Sequence, residues 1–444
     1  MDVEEFVRRK FADGVPETSI HKNLTDEILE IKKVNPSYAS AFARAVIEEV
    51  KNTRGLKGDF FEFLPASVNM GEFGVGSRGK GDFFAHREIA RIIGKTSASV
   101  GVDEMDDAGA VRAESGSSEY IVCTVDGMHS RLSDYPFLAG FHVTRATLRD
   151  VYVMGAKPIM LFSDIHVADD GDVAKIFDYT AGVTTVGEAM GVPLVTGSTL
   201  RIGGDMVLGS RLTGCVGAVG VAGHLTARKA TRPGDVLLMT EGAGGGTIAT
   251  AAIYSGFPEV VEQTINLHFL TACEVLMKSP SFTQIHAMTD VTNGGLRGDA
   301  FEMAETAGCR IVVNEAAIGS LVEPNVMEML EKLRIDYLGV SLDALLVVAP
   351  PEAADGICAA VGSAGVKMQS VGYAEAGKPE SVLMIDGEEH DFSPRFRESA
   401  YTPVKKVVDT SVRDFEEMKQ GVLRASEAAI QKKQRVLARL AAKK

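Results

Sequence analysis

Four acidic side chains, Asp103, Glu104, Asp106 and Asp107, crowd the segment GVDEMDDAGAV at residues 101–111, beside glycine and other small residues. Carboxylates packed this closely repel one another unless a cation lies among them. Magnesium takes one or two protein carboxylates and fills its shell with water and phosphate oxygens, so a nucleotide site is one expectation. A solvated acidic turn is the other. Two further aspartates stand where a loop opens after an apolar strand: Asp126 after YIVCTV, and Asp150 in ATLRDVYVMGAKPI. Such places project binding groups, although a single Asp there also serves as a helix cap or a surface turn. It is the combination that points to metal and phosphate chemistry.

Three glycine clusters accompany the acids. GEFGVGSRGKGDFF at residues 71–84 has the composition to wrap a polyphosphate with backbone N–H groups while Arg78 and Lys80 neutralise it, or to be a flexible linker. It is not a Walker loop, because GxxxxGK[ST] is absent here. TEGAGGGT at residues 240–247 follows the apolar strand VLLMT and opens a helix, which makes Gly244 and Gly245 a candidate substrate-phosphate site or simply a tight strand-to-helix connection. In HAMTDVTNGGLRGDAFEMAETAG, Asp290, Thr292 and Asn293 precede Gly294 and Gly295 and a helix that runs to Gly308. An Asp or Asn at that helix mouth also fits a capping role.

The elements that must position these residues are mixed α and β. The first 72 residues read as a helical extension: Thr25 caps a helix through Ile28 and Ile31, Asn35 and Pro36 start another, and Gly55 ends it. From Tyr120 short apolar runs alternate with helical segments, and the Pro233–Gly234 turn before VLLMT marks a second α/β domain. The expected units are residues 1–72, 73–223, 224–402 and a basic helical tail at 403–444. From Arg424 onward that tail holds seven Lys or Arg against one Glu. It reads as a solvated amphipathic helix, with docking of a protein or RNA as the alternative.

Composition narrows the class. With 45% hydrophobic and 24% charged residues the chain is globular, and a net charge of -14 argues against a general polyanion binder, so nucleic acid is an improbable partner. The five cysteines are scattered without a CxxC pair and read as reduced core residues. No apolar run approaches the roughly 18 to 20 residues that span a bilayer, and the amino terminus lacks a signal-peptide core, which together suggest a cytoplasmic protein without membrane contact.

The order MDDAGAV, TVDGMHS, ATLRDVYVMGAKPI, VTGSTLRIGGD, TGCVGAV, RPGDVLLMT and MTDVTNGGL resembles the aminoimidazole ribonucleotide (AIR) synthetase superfamily of ATP-binding enzymes. The superfamily also holds thiamine-monophosphate kinase, selenophosphate synthetase and the hydrogenase maturation protein that dehydrates a carbamoyl thioether. The resemblance implies a two-domain, mixed α/β fold whose amino-terminal sheets pair into a dimer barrel, with ATP and Mg²⁺ in a groove near the dimer contact and a small-molecule substrate beside them. It places Asp106, Asp107, Asp126 and Asp150 around metal and phosphates, and Asp126 and Lys80 in catalysis. Gly76, Arg78, Gly79, Gly127, Gly197, Ser198 and Thr199 then become nucleotide contacts. Asp290 takes a metal or substrate role, with Thr292, Gly294 and Gly295 beside the substrate.

There are departures. Where relatives carry GGDT, GGHT or GGET, this chain has Thr196-Gly197-Ser198-Thr199, so a hydroxyl replaces an acid or imidazole. The cysteine or selenocysteine of selenophosphate synthetases and the carboxy-terminal cysteine motif of the dehydrating protein are missing. The expected activity is ATP-dependent phosphoryl transfer to an amide, carboxylate or phosphate oxygen, by a kinase or by a ligase or cyclase. A catalytically silent nucleotide-binding subunit is the alternative.

Overall fold

The computed structural model describes residues 1–442 apart from Arg78, Asn293, Ser399, Ser411 and Val412. Three amino-terminal helices, α1 (Val3–Ala12), α2 (Glu17–Lys32) and α3 (Pro36–Thr53), share a small apolar core of their own. Asn35 caps α3 as expected, its side chain accepting the Tyr38 N–H. Thr25 does not cap: it lies in the middle of α2, where its hydroxyl donates to the His21 carbonyl and so spends its hydrogen bond within the helix. This unit is tied to the body by Lys32, ion-paired with Asp169 and Asp170, and by the amino-terminal ammonium, which donates to Leu208 O at 2.7 Å.

Next comes an arm built from α4 (Met70–Phe73) and α5 (Lys80–Ile93). The first sheet holds β1 (Gly109–Arg112), β2 (Tyr120–Gly127), β3 (Lys157–Val167), β4 (Leu194–Arg201) and β5 (Leu212–Ala222), in the order β1-β2-β5-β3-β4. Helices α6 (Pro136–Val153) and α7 (Ala174–Ala189) cover one of its faces. On the other face Val111, Ile121, Val125 and Leu200 remain exposed.

The second sheet is larger, in the order β12-β11-β8-β10-β6-β9-β7. It is laid down as β6 (Val236–Thr240), α8 (Gly246–Ser255), α9 (His268–Lys278), β7 (Ala287–Val291), α10 (Gly295–Ala307) and β8 (Arg310–Asn314). There follow α11 (Glu315–Gly319), α12 (Pro324–Leu333), β9 (Ala344–Ala349), α13 (Ala354–Gly362), β10 (Met368–Glu375), β11 (Glu380–Ile385) and β12 (Glu388–Asp391). Two carboxy-terminal helices, α14 (Pro403–Val408) and α15 (Phe415–Ala441), run back along the arm. Among the described residues no helix is long and apolar enough to cross a membrane.

Helix α6 joins the two halves. Its apolar residues are buried nearly all round, against the first sheet on one side and α7, α9 and β7 on others, as expected of a helix in the middle of a structure. Two residues beyond its end stands Gly155, which has φ +77°; a Cβ there would approach His224 O to 2.3 Å, so only glycine permits the turn into β3.

A buried cation at the seam helps to fasten the domains. Arg228, at the entry to the second domain, is fully buried. Its guanidinium reaches Asp107 Oδ1 at 2.6 Å and Met105 O at 2.8 Å in the first domain. It also reaches Glu302 Oε2 at 3.0 Å and Thr289 Oγ1 at 2.7 Å in the second. Asp299 Oδ1 lies 3.4 Å away. Burial disfavours the charged form, but the surrounding carboxylates outweigh it and hold the guanidinium well above its ordinary pKa. Removing the cation strands several buried carboxylates, a change that costs about 3 to 5 kcal/mol. We therefore expect Arg228→Met to lower the urea midpoint of unfolding sharply, whereas a conservative change at an exposed tail site such as Lys432→Arg leaves it within experimental scatter.

Candidate functional site

The β2 alternation turns Val122, Thr124 and Asp126 toward α6 and leaves Ile121, Cys123 and Val125 on the open face. On α6, His142, Ala146, Arg149 and Asp150 follow a three-to-four residue spacing and form one stripe. Thr124 Oγ1 donates to Asp150 Oδ2 at 3.0 Å, locking strand and helix together. The second domain brings Gly245, Gly246 and Thr247 at the start of α8, Asp290 and Thr292 at the end of β7, and Ser341. All of these line one cavity of about 350 Å³, together with Asp106, Asp107, Gly127, His129 and, from the arm, His86.

The acids of this cavity are not equivalent. Asp107 is claimed by Arg228 and by the Thr289 hydroxyl, 2.8 Å from Oδ2, and Asp106 Oδ2 accepts the Arg228 N–H at 3.0 Å. Asp290 accepts from Arg149 Nε at 3.0 Å. Arg149 and Arg145 both pair with buried Asp343, and Arg145 also donates to Thr264 O and Asn266 O at 2.7 Å. Burial and then Arg149 bring Arg145 down to about 9. Burial, strengthened by Asp290 and Asp106 against the pull of Arg228, pushes Asp107 up to about 7. Asp150 is driven well above the carboxylate range by burial, then by Asp126, Asp290 and Asp107. Burial keeps His129, which packs on Gly246, down at about 4 and His142 well below its usual value, so both rings are neutral.

Of the residues singled out from the sequence, Asp106, Asp107, Asp126, Gly127, Asp150, Gly245, Asp290 and Thr292 meet in this cavity. Lys80, Gly76 and Gly79 do not: Lys80 is exposed, and its N–H donates to Arg395 O at 2.9 Å. Arg78 and Asn293 lie outside the described residues. Gly197, Ser198 and Thr199 belong to the exposed edge strand β4, where Ser198 pairs with Asp164. Gly244 accepts from Arg145 Nη2 at 2.9 Å, and Gly294 and Gly295 turn the chain into α10 at φ +94° and +60°. The reading of all five cysteines as core residues is corrected: only Cys273 and Cys309 are buried, and Cys123 is exposed because strand alternation turns it outward. Sequence reasoning passed over His86, His129, His142, Arg149 and Ser341. Arg149 alone had a local signal, next to Asp150.

Among the described residues no three His, Cys, Asp or Glu side chains form a ready-made metal cage. The carboxylates instead spread over the cavity walls, an arrangement that suits an ion completed by water and phosphate oxygens.

Comparison with known proteins fits this architecture. Residues 105–222 match the AIR synthase related protein amino-terminal domain, and residues 232–385 match the carboxy-terminal domain. The chain belongs to the AIR synthase related family. It is 51% identical to an uncharacterized protein of Methanocaldococcus jannaschii over 98% of this chain and 97% of that one. A selenide, water dikinase of Myxococcus xanthus is 27% identical over 66% of this chain and 90% of its own length. Carbamoyl dehydratase HypE of Rhodobacter capsulatus is 32% identical over 47% of this chain and 60% of its own. Among solved structures, the HypE-HypF complex aligns with TM-score 0.54 at 18% identity, covering 66% of this chain and 95% of that chain. AaThiL complexed with AMPPCP and TMP aligns with TM-score 0.51 at 19% identity, covering 65% and 90%. At these identities the structural likeness establishes the two-domain fold.

The raised pKa of Asp150 has a measurable consequence. A carboxyl whose folded pKa lies above its unfolded value of 3.8 binds more protons when folded, so it lowers stability as pH rises from about 4. Asp150→Asn keeps an acceptor for Thr124 and removes that penalty. We expect the variant, free of metal, to melt several degrees above the unaltered protein at pH 8, with the difference shrinking toward pH 4 in scanning calorimetry. The neutral histidines contribute equally to both proteins and cancel.

Proposed function

We propose that the protein is an ATP- and Mg²⁺-dependent phosphoryl-transfer enzyme acting on a small metabolite, as a kinase or as a ligase or cyclase. The observation that carries this reading is the convergence of Asp106, Asp107, Asp126, Asp150 and Asp290 on one cavity whose other wall offers Arg149, the start of α8 and hydroxyls from Thr247, Thr292 and Ser341. Relatives named as a dikinase, and solved relatives in complex with ATP or AMPPCP, support it.

The donor set fits a divalent cation. Arg228 already balances Asp107 and Arg149 already balances Asp290, whereas burial, and then Asp126, Asp290 and Asp107, hold the Asp150 carboxyl well above the usual carboxylate range. Asp126 and Asp150, with Asp107 next to them, are therefore the residues that would hold it. Such an ion supplies charge neutralisation for the phosphates. The chain's own groups do the rest: Arg149 offers positive charge from within the cavity wall, Thr124 orients the Asp150 carboxylate, and the α8 N-terminus with Thr247 faces the acceptor side. Water exclusion would follow from the arm, whose α5 borders the cavity through His86.

The same reading extends to assembly as a homodimer. The open sheet face carries Val111, Ile121, Val125 and Leu200, with Cys123, Asp164, His166 and Ser198 between them. An apolar face of this kind calls for a cover, and a second copy of the sheet supplies one.

Two measurements check these statements. Asp126→Asn should lower Mg²⁺-dependent ADP formation by at least about 100-fold while the melting temperature stays at or above that of the unaltered protein; undiminished turnover would refute the metal assignment. Val125→Asp should halve the mass found by light scattering, and an unchanged mass would remove this sheet face from the assembly.

A further inference from the structure

Asp82 and His86 form a polar pair on α5. His86 lies one helical turn after Asp82, with Nδ1 3.1 Å from the Asp82 backbone oxygen and 3.4 Å from Asp82 Oδ1. Both neighbours are acceptors, so in the neutral ring Nδ1 carries the proton and Nε2 holds the lone pair. Asp82 is fully buried and is itself fixed by the Gly76 N–H, which donates to Oδ1 at 3.0 Å. The backbone beneath it is equally constrained, since a Cβ on Gly81 would reach 1.8 Å from Phe73 O. No described residue hydrogen-bonds His86 Nε2. The ring is part of the lining of the carboxylate cavity, and 39% of its side chain is exposed. A base oriented through its other nitrogen, here by the Asp82 carbonyl with the buried carboxylate beside it, is the arrangement that proton abstraction requires.

His129 and His142 line the same cavity but cannot take this part. His129 Nε2 faces Thr247 Oγ1 and His142 Nε2 faces Thr264 Oγ1, each at 3.3 Å; His142 is deeply buried and His129 half-buried. His86 alone among the three combines an oriented Nδ1 with an exposed edge through which a proton can return to solvent.

We propose that His86 is the general base of the transfer, oriented by Asp82, and that the acceptor is therefore a neutral nucleophile with a proton to lose, a hydroxyl or an amide. A carboxylate or a phosphate oxygen attacks without surrendering a proton and leaves such a base without work. In the step, the acceptor's O–H or N–H bond breaks and its proton moves to Nε2. The acceptor oxygen bonds to the γ-phosphorus as the bond to the bridging oxygen breaks, and ADP leaves with that electron pair. The imidazolium then releases its proton to water. This inference rests on the phosphoryl-transfer reading above and narrows it to one class of acceptor.

The test uses the full chain with histidine labelled by ¹⁵N and with Mg²⁺ and a non-hydrolysable ATP analogue. Calorimetric titration first asks whether the unaltered protein binds the analogue; absence of binding would refute the phosphoryl-transfer reading and this inference together. Given binding, the His86 resonances, assigned by their disappearance in His86→Gln, should report the Nδ1–H tautomer and should move when the analogue is added. His86→Gln should bind the analogue within about threefold of the unaltered protein yet release ADP from Mg²⁺-ATP, with water as acceptor, at least about 100-fold more slowly. His86→Ala should recover part of that rate when imidazole is supplied. An Nε2–H tautomer, a resonance unmoved by the bound analogue, or a His86→Gln variant with undiminished ADP release would each overturn the proposal. The resonance decides the matter even where release with water is too slow to follow.

Discussion

Burying a guanidinium at a domain seam is tolerable only where carboxylates meet it from several sides, and Arg228 sets that condition here. Asp107 comes from the first domain, Asp299 and Glu302 from α10, and Thr289 from β7. Because a stranded charge costs more than the pair contributes, these groups fix how the loop at residues 105–107 approaches β7. That approach brings Asp107 and Asp290 onto neighbouring walls of one cavity. A second buried cluster, Arg145 and Arg149 on Asp343, holds α6 against the second domain. Asp343 accepts a left-handed backbone, φ +57°, to stand there, a conformation that costs a non-glycine residue of order 1 to 3 kcal/mol and persists only where its surroundings demand it.

Structural and chemical acids are thereby separated. Arg228 holds Asp107 and Arg149 holds Asp290, which leaves Asp126 and Asp150 as two further acids of the cavity. Both belong to the first domain, one on β2 and the other on the helix packed against it. The seam is consequently rigid where it is neutral and electrostatically costly where it is not. Natural sites commonly keep such a cost because the ligand removes it.

Much of this was legible in the sequence, for identifiable reasons. The glycines ahead of α8 and the run from Asp290 to Gly308 are local signals that appear where their patterns predict, whereas Asp126 and Asp150, expected at loops after strands, lie inside β2 and inside α6 because each element continues past them. The stripe on α6 was not legible, because a helix buried all round shows no polar face to separate His142 and Arg149 from their neighbours. Nor was the partition of the acids, which depends on an arginine some 120 residues after Asp107. The glycines of the arm were misleading for a different reason. Their composition suits a phosphate loop, yet Gly79 and Gly81 are required by close backbone approach: a Cβ on Gly79 would meet Phe396 O at 2.3 Å. Short-range composition cannot distinguish a backbone that must approach a ligand from one that must approach another part of its own chain.

That ambiguity bears directly on how the arm works. Its position is set by the chain that returns from the second domain: Phe415 packs between Phe73 and Phe396, and Arg397 donates to Glu72 O and to Val408 O. With the arm so fastened, α5 can present only one side to the cavity. Lys80 and His86 are six residues apart, hence about 9 Å along the axis and about 120° apart around it. The seating that brings His86 to the carboxylates therefore turns Lys80 outward. A lysine at the phosphates requires the first turn of α5 to leave its carboxy-terminal support, whereas a histidine there requires that support to hold. The carboxy-terminal helical extension, which the sequence alone could only describe as an addition, thus belongs to the geometry of the site, because it determines which side chain of the arm the cavity receives.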